Sequence, residues 1–213
     1  MTKRPSPTWV FHITRLEHVP SMMEHGIWSD TLASSTGLTS IPIGHSHLKQ
    51  QRAARTVPIH PGGFLSDYVP FYFAPRSPML YAINKGRVAG YTDGCDRIVY
   101  LATKVTELRT RTESVLGTDR HALAAYARFT ADDSELTRLV DWPLMESKYW
   151  HDVDEYPDRC ERRQAELLVH QHVPWDSILF IATRSDEVAT EVRQMLGSKT
   201  PTPKLDVRPG WYF

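Results

Sequence analysis

One fifteen-residue stretch, Asp67 to Tyr81, limits what this chain can fold into more than any other. DYVPFYFAPRSPMLY carries five aromatic residues and three prolines. Tyr68 to Phe73 has the β-branched and aromatic content of a strand. Pro70 has no N–H to give a hydrogen-bond ladder, which predicts an edge position or a bulge. Ser77-Pro78 then reads as an N-cap followed by proline at the first helical position, opening a helix that ends near Gly86. A helix N-terminus beside an aromatic strand suits a flat, anionic ligand.

The flanking segments add alternation and charge. In Thr8 to Thr14, Trp9, Phe11 and Ile13 face one way, predicted to be core, and Thr8, Val10, His12 and Thr14 the other. The His12–Thr14 side is polar enough to line a cleft. Glu17 to His25 predicts a short helix, with Pro20 in its first turn and Gly26 as its stop. Residues 29–43, rich in Ser and Thr, read as a loop, a candidate lid. His45 to Arg55 predicts a helix with Leu48, Arg52 and Arg55 on one face.

Further on, Arg97 to Thr103 reads as a buried strand. Thr118 to Phe129 and Asp133 to Trp150 read as helices, capped by Asp119 and by Asp133 or Asp141. Leu123, Tyr126 and Phe129 have core spacing, and Trp142 and Trp150 read as packing residues. A polar segment, His151 to Arg163, leads into a second alternating strand, Gln164 to His170, which puts Gln164, Glu166, Leu168 and His170 on one face. Ser177 to Thr183 and Lys204 to Arg208 read as strands, with a helix capped by Ser185 between them. Short strands with segregated helices predict an α+β fold in one domain, residues 1–213.

Composition excludes several classes. The 213 residues are 41% hydrophobic, enough for one real core, and 25 basic residues balance 25 acidic ones. A neutral chain does not coat nucleic acid by bulk charge, although a local basic patch is compatible with it. Cys95 and Cys160 match no zinc spacing and read as reduced thiols, and no metal is expected. The opening MTKRPSPTWVFHIT lacks a signal peptide's apolar run, and no stretch approaches a membrane span, so a cytoplasmic protein is expected.

His12-Ile13-Thr14, the helix bearing Arg52, DYVPFYFAPRSPMLY and QAELLV resemble, in order and spacing, the DarT family of toxin ADP-ribosyltransferases. The resemblance runs from about Val10 to the Trp211–Phe213 terminus. It implies an ADP-ribosyltransferase-type domain with a split central sheet, using NAD⁺ as co-substrate to modify a base, commonly thymidine, in single-stranded DNA. It also implies a partner, a DarG-type macrodomain antitoxin that removes the mark. Carried over, Arg52 and Glu166 would be the catalytic pair. His12, Ile13, Thr14, Ser21, Ser29, Arg52 and Tyr72 would hold NAD⁺. Where the family often has Asn-Leu in the first helix, this chain has His18-Val19. The segment before the glutamate strand would contact DNA through Tyr149, Trp150, Tyr156, Arg159, Arg162 and Arg163, by phosphate contacts and base stacking.

The residue types suit the chemistry. Cleaving a nicotinamide–ribose bond generates an oxocarbenium-like centre, which a fixed carboxylate such as Glu166 stabilises. Neutralising Arg52 at pH 7 costs roughly 7 kcal/mol or more, from a pKa above about 12 at 1.36 kcal/mol per unit. Arg52 is therefore expected to position NAD⁺ and stabilise the deprotonated imide, with Glu166 or water taking the proton. The pair would serve guanosine, RNA or a protein acceptor equally, so the residues leave the acceptor open. A catalytically silent NAD⁺- or nucleic-acid-binding module is the competing class, and the intact pair counts against it.

Overall fold

The computed structural model describes residues 3–37, 46–198 and 201–213. Its first half holds β1 (Trp9–Arg15), α1 (Val19–His25), β2 (Ile27–Trp28), α2 (Asp30–Ser35), α3 (Ser46–Ala54), β3 (Tyr68–Tyr72), α4 (Pro78–Asn84), β4 (Ile98–Lys104) and α5 (Val105–Arg111). The second holds β5 (Val115–Thr118), β6 (Phe129–Thr130), α6 (Asp133–Leu139), α7 (Trp142–Glu146), α8 (Arg159–Arg162), β7 (Glu166–His170), β8 (His172–Val173), β9 (Phe180–Thr183), α9 (Asp186–Leu196) and β10 (Lys204–Val207). Among the described residues, eight strands form one sheet in the order β10-β9-β4-β1-β3-β7-β5-β6, and β2 pairs with β8 apart from it. Every neighbour in the large sheet is antiparallel except β9 and β10. This is the expected α+β class.

The sheet is split, and Pro70 marks the split. β1 lies along β4 over seven residue pairs from Trp9↔Lys104 to Arg15↔Ile98, but meets β3 only at Phe11↔Tyr72. β3 is not an edge strand, as Pro70 predicted, because it pairs with β7 along its whole length. The Pro70 carbonyl points toward β1 and accepts from His12 Nδ1 at 2.8 Å. The missing N–H points the same way, into the gap where no ladder forms, so the proline costs the sheet no hydrogen bond.

Alternation distributes the core over both faces. Phe11, Ile13, Ile98, Tyr100 and Ala102 pack with Leu80 and Ile83 of α4 and with Tyr212. Val10, Val99, Leu101, Phe71 and Leu167 pack on the opposite face with Val188, Val192 and Leu196 of α9 and with Trp142 and Leu144 of α7. The Val10 side of β1 is therefore covered, and only His12 and Thr14 on it have access to a cleft. Gly26 closes α1 with φ of 77°, and a Cβ there would lie 2.2 Å from His172 Nε2 and 2.5 Å from the Val173 carbonyl, so glycine is required.

Several local expectations are corrected. Within residues 29–43, residues 30–35 form α2, capped by Ser29 Oγ accepting from Leu32 N, and residues 38–43 lie outside the described residues. Thr118 to Phe129 is not a helix. It joins β5 to β6 as an irregular loop in which Asp119 accepts from the Arg128 amide at 2.9 Å. Leu123 and Phe129 pack against a small core around Tyr68 and Leu168, whereas Tyr126 is 63% exposed. The stretch Asp133 to Trp150 breaks into α6, capped by Asp132, and α7, capped by Asp141.

Candidate active site

The split opens a cleft of about 500 Å3 between β1, β3 and β7 on one side and α1, α2 and α3 on the other. His12, Ile13, Thr14, Ser21, Ser29, Arg52, Tyr72 and Glu166 all line it. The structure thus brings together the residues expected to hold NAD⁺ and the expected catalytic pair, from five separate elements and the N-cap of α2. Pro78, Met79 and Ala82 of α4 complete one wall.

Glu166 forms the floor, 1% exposed. Its backbone N–H donates to Thr118 Oγ1 at 2.9 Å, which anchors the start of β7 to the end of β5. Arg52 Nη1 donates to Oε2 at 2.9 Å, and the Ala122 amide donates to Oε1 at 3.0 Å. His121 Nε2 stands 4.0 Å from the same Oε1. Burial by itself would raise the Glu166 carboxyl. The charge of Arg52, the nearby His121 and the two donated hydrogen bonds outweigh it and hold the group below its ordinary value, so it is a carboxylate at neutral pH.

Tyr72 faces Glu166 across the β3–β7 register, which makes the two side chains neighbours on one face. Burial, reinforced by the Glu166 charge, raises the Tyr72 phenol and keeps it protonated. It donates to Met79 Sδ at 3.7 Å. Burial lowers His12, against the opposing pull of the Pro70 carbonyl and Asp30, so the ring is neutral. Because the Pro70 oxygen can only accept, Nδ1 carries the proton and Nε2 keeps its lone pair. Ser29 is buried and is held by its N-cap bond and by its amide donating to the Gln171 carbonyl.

The expected DNA-contacting residues divide into two groups. Tyr149 is 66% exposed and Tyr156 is also exposed. Arg159 borders them, donating to the Tyr149 carbonyl at 2.8 Å. Trp150 packs edge-on against Tyr81 and Phe213. Arg162 is tied to Asp141 at 2.5 Å and Asp158 at 3.0 Å. Arg163 is 4% exposed and is removed from the surface group. It donates to the Leu144, Met145, Ser147 and Pro75 carbonyls, and burial pulls its pKa down to about 10. It is a buried cation whose two Nη atoms are bonded to main-chain oxygens, pinning the segment before β7 to the end of β3.

Sequence reasoning missed His121, Gln164, Trp28 and Lys49, which also line the cleft. His121 was concealed inside the supposed helix. Gln164 was legible on the Glu166 face of its strand but was given no role. Among the described residues no group of three or more His, Cys, Asp and Glu could hold a metal, and no helix is long and apolar enough to cross a membrane.

Residues 11–213 match the family model described as ssDNA thymidine ADP-ribosyltransferase, DarT. A DNA ADP-ribosyl transferase of Thermus sp. strain 2.9 is 36% identical over 211 residues, covering 98% of each chain. The structure of Thermus sp. 2.9 DarT in complex with ADP-ribosylated ssDNA superposes with a TM-score of 0.91 at 33% identity, covering 100% of this chain and 99% of that one. The same protein in complex with NAD⁺ superposes with a TM-score of 0.85, covering 98% and 99%. A DNA ADP-ribosyl transferase–DNA ADP-ribosyl glycohydrolase fusion protein of Thermosipho africanus is 23% identical over 192 residues, 89% of this chain and 46% of its own. A split sheet, a buried arginine–glutamate pair on the floor of its cleft and a family match over nearly the full length agree: the chain belongs to the DarT family.

Proposed function

We propose that this protein binds NAD⁺ in the cleft and transfers its ADP-ribose to thymine in single-stranded DNA. The observation that carries the reading is the Arg52–Glu166 pair. A carboxylate kept ionised although itself only 1% exposed, with a fixed cation on one oxygen, is an electrostatic device for a transient positive centre. His12, Ile13, Thr14, Ser21, Ser29 and Tyr72 position NAD⁺ along the split. Glu166 stabilises the oxocarbenium-like ribose as nicotinamide leaves. Arg52 remains a cation throughout, orienting NAD⁺ and stabilising negative charge on the thymine carbonyls as the imide proton departs.

Exposed Tyr149 and Tyr156 offer faces on which bases stack, and Arg159 offers a phosphate contact. A neutral chain with one such segment fits a grip on a few nucleotides. The family's pairing with a macrodomain antitoxin, and the glycohydrolase fused to the Thermosipho relative, support reversal of the mark by a separate partner. NAD⁺ and single-stranded DNA as substrates support a cytoplasmic site of action.

Intact-mass spectrometry of short oligonucleotides incubated with NAD⁺ tests the reading. The set comprises thymine-containing and thymine-free DNA, guanine-containing DNA and the RNA equivalents. One ADP-ribose added only to thymine-containing DNA, and abolished by Glu166→Gln, is the expected result. Addition that follows guanine or RNA refutes the acceptor, and no addition to any oligonucleotide refutes the DNA-modifying activity.

A further inference from the structure

We infer that His121 is the general base that takes the imide proton of the acceptor thymine. The inference rests on the function proposed above. Transfer to N3 of thymine releases one proton, and the groups around the cleft floor differ sharply in their capacity to accept it. Arg52 already carries its full complement of protons. Tyr72 is kept as a neutral phenol, which can give a proton but not take one. Glu166 is held below the ordinary carboxylate range and has to stay charged opposite the ribose, so it is a weak base with another task. His12 also keeps a lone pair, at Nε2, but it lies on the β1 side of the split, bonded to Pro70, and the histidine beside the Glu166 carboxylate is His121.

His121 has what the others lack. Its side chain is 21% exposed, lines the cleft and stands 4.0 Å from Glu166 Oε1, opposite the oxygen that Arg52 holds. Its backbone is fixed on several sides. The His121 amide donates to the Glu161 carbonyl at 3.0 Å, and the next amide, of Ala122, donates to Glu166 itself. Thr118 Oγ1 donates to the Arg120 carbonyl at 2.7 Å, and Arg55 Nη2 donates to the Ala124 and Ala125 carbonyls at 3.3 Å each. The loop that carries the imidazole is therefore tied to Glu166 on the cleft floor and to Glu161 of the segment that also bears the exposed tyrosines. Burial lowers its pKa, and Arg52 adds to this, while Glu166 and Glu161 oppose it. At neutral pH it is an unprotonated base whose conjugate acid is stabilised by an adjacent carboxylate.

The step balances. The N3–H bond breaks and its proton passes to the lone pair of Nε2. The electron pair left on N3 forms the bond to ribose C1″. The C1″–nicotinamide bond breaks with its pair going to the pyridinium nitrogen, which becomes neutral. The imidazolium then returns its proton to water through the exposed side of the ring.

The test is single-turnover transfer to a thymine oligonucleotide from pH 5 to 9, for the intact chain and for His121→Gln, with NAD⁺ affinity measured alongside. In the unsubstituted protein the rate should rise tenfold per pH unit at the acid end and level off below about pH 6.5, the ordinary histidine value. His121→Gln should be slower at pH 7 by about 10²–10⁴-fold with NAD⁺ affinity retained, and its rate should keep climbing with pH. Replacing thymine by 5-fluorouracil, whose imide is more acidic, should recover at least about tenfold of that deficit, which a purely structural role would not. A variant within about threefold of the parent with the same pH profile, or a deficit unchanged on 5-fluorouracil, overturns the assignment. Should His121→Gln fail to fold, His121→Asn is read by the same two criteria, and a rate within about threefold of the parent or a deficit unchanged on 5-fluorouracil overturns the assignment. Absence of transfer by the unsubstituted protein at every pH refutes the function itself, and with it the base.

Discussion

Replacing Arg52 by Met tests whether Glu166 is a buried charge held by its partner. Methionine keeps the length of the stem and removes the guanidinium. Glu166, 1% exposed, would then retain the Ala122 amide as its one hydrogen-bond donor among the described residues, with neutral His121 4.0 Å away. It has two courses: to remain ionised without its cation, or to take up a proton. Protonation at pH 7 costs about 3.4 kcal/mol, since its ordinary pKa of 4.5 lies about 2.5 units lower at 1.36 kcal/mol per unit. That figure is a ceiling, because a charged state costlier than this converts to the neutral one. It falls within the range of about 3–5 kcal/mol typical of a broken buried pair. At pH 5 the ceiling drops to about 0.7 kcal/mol. The sign follows from linkage: a carboxyl raised in the folded variant carries no penalty below its unfolded pKa and an increasing one above it. In the parent, the lowered carboxyl is still ionised at pH 5. Urea unfolding at both pH values should therefore show the gap between Arg52→Met and the parent widening from pH 5 to pH 7 by up to about 2.7 kcal/mol. Arg52→Met with Glu166→Gln should lose that pH dependence. An equal destabilisation of the single variant at both pH values would refute the reasoning.

Two further predictions separate scaffold from surface. Arg163→Met removes the guanidinium donor from the Leu144, Met145, Ser147 and Pro75 carbonyls, of which Leu144 keeps the Ser147 amide, and should destabilise the fold by about 2–3 kcal/mol, while oligonucleotide affinity of the folded variant is unchanged. Weakened DNA binding with full stability would return Arg163 to the contact group. Glu17 is held at about 2, because Arg15 and Arg97 outweigh a burial effect that would raise it. Its contribution is present above its ordinary 4.5 and is lost as pH falls from there to about 2. Thermal melts of Glu17→Gln should accordingly fall below the parent at pH 7 and converge with it near pH 2, and a constant gap would contradict the ion-pair account.

The sequence on its own determined the elements whose signals are local. The alternation of β1 and β7 shows because adjacent side chains point to opposite faces, and Glu166 stands on the face alternation assigns to it. Ser77 with Pro78 and Ser185 mark helix starts because capping needs only the next three residues. His12, Arg52, Tyr72 and Glu166 were legible through motifs carried on those elements. Local rules failed where distant partners decide. Residues 118–129, with the alanines and leucine of a good helix, are held out of helix by bonds from Arg120, His121 and Ala122 to Thr118, Glu161 and Glu166. Pro70 reads as an edge residue until β1 is seen to part from β3 beside it. Arg163 reads as a DNA contact until four carbonyls from residues 75 and 144–147 are seen to surround it. The cleft itself joins residues 12, 52, 121 and 166, and only the tertiary fold brings Arg52 and the Ala122 amide, so far from residue 166 in the chain, within hydrogen-bonding reach of one carboxylate.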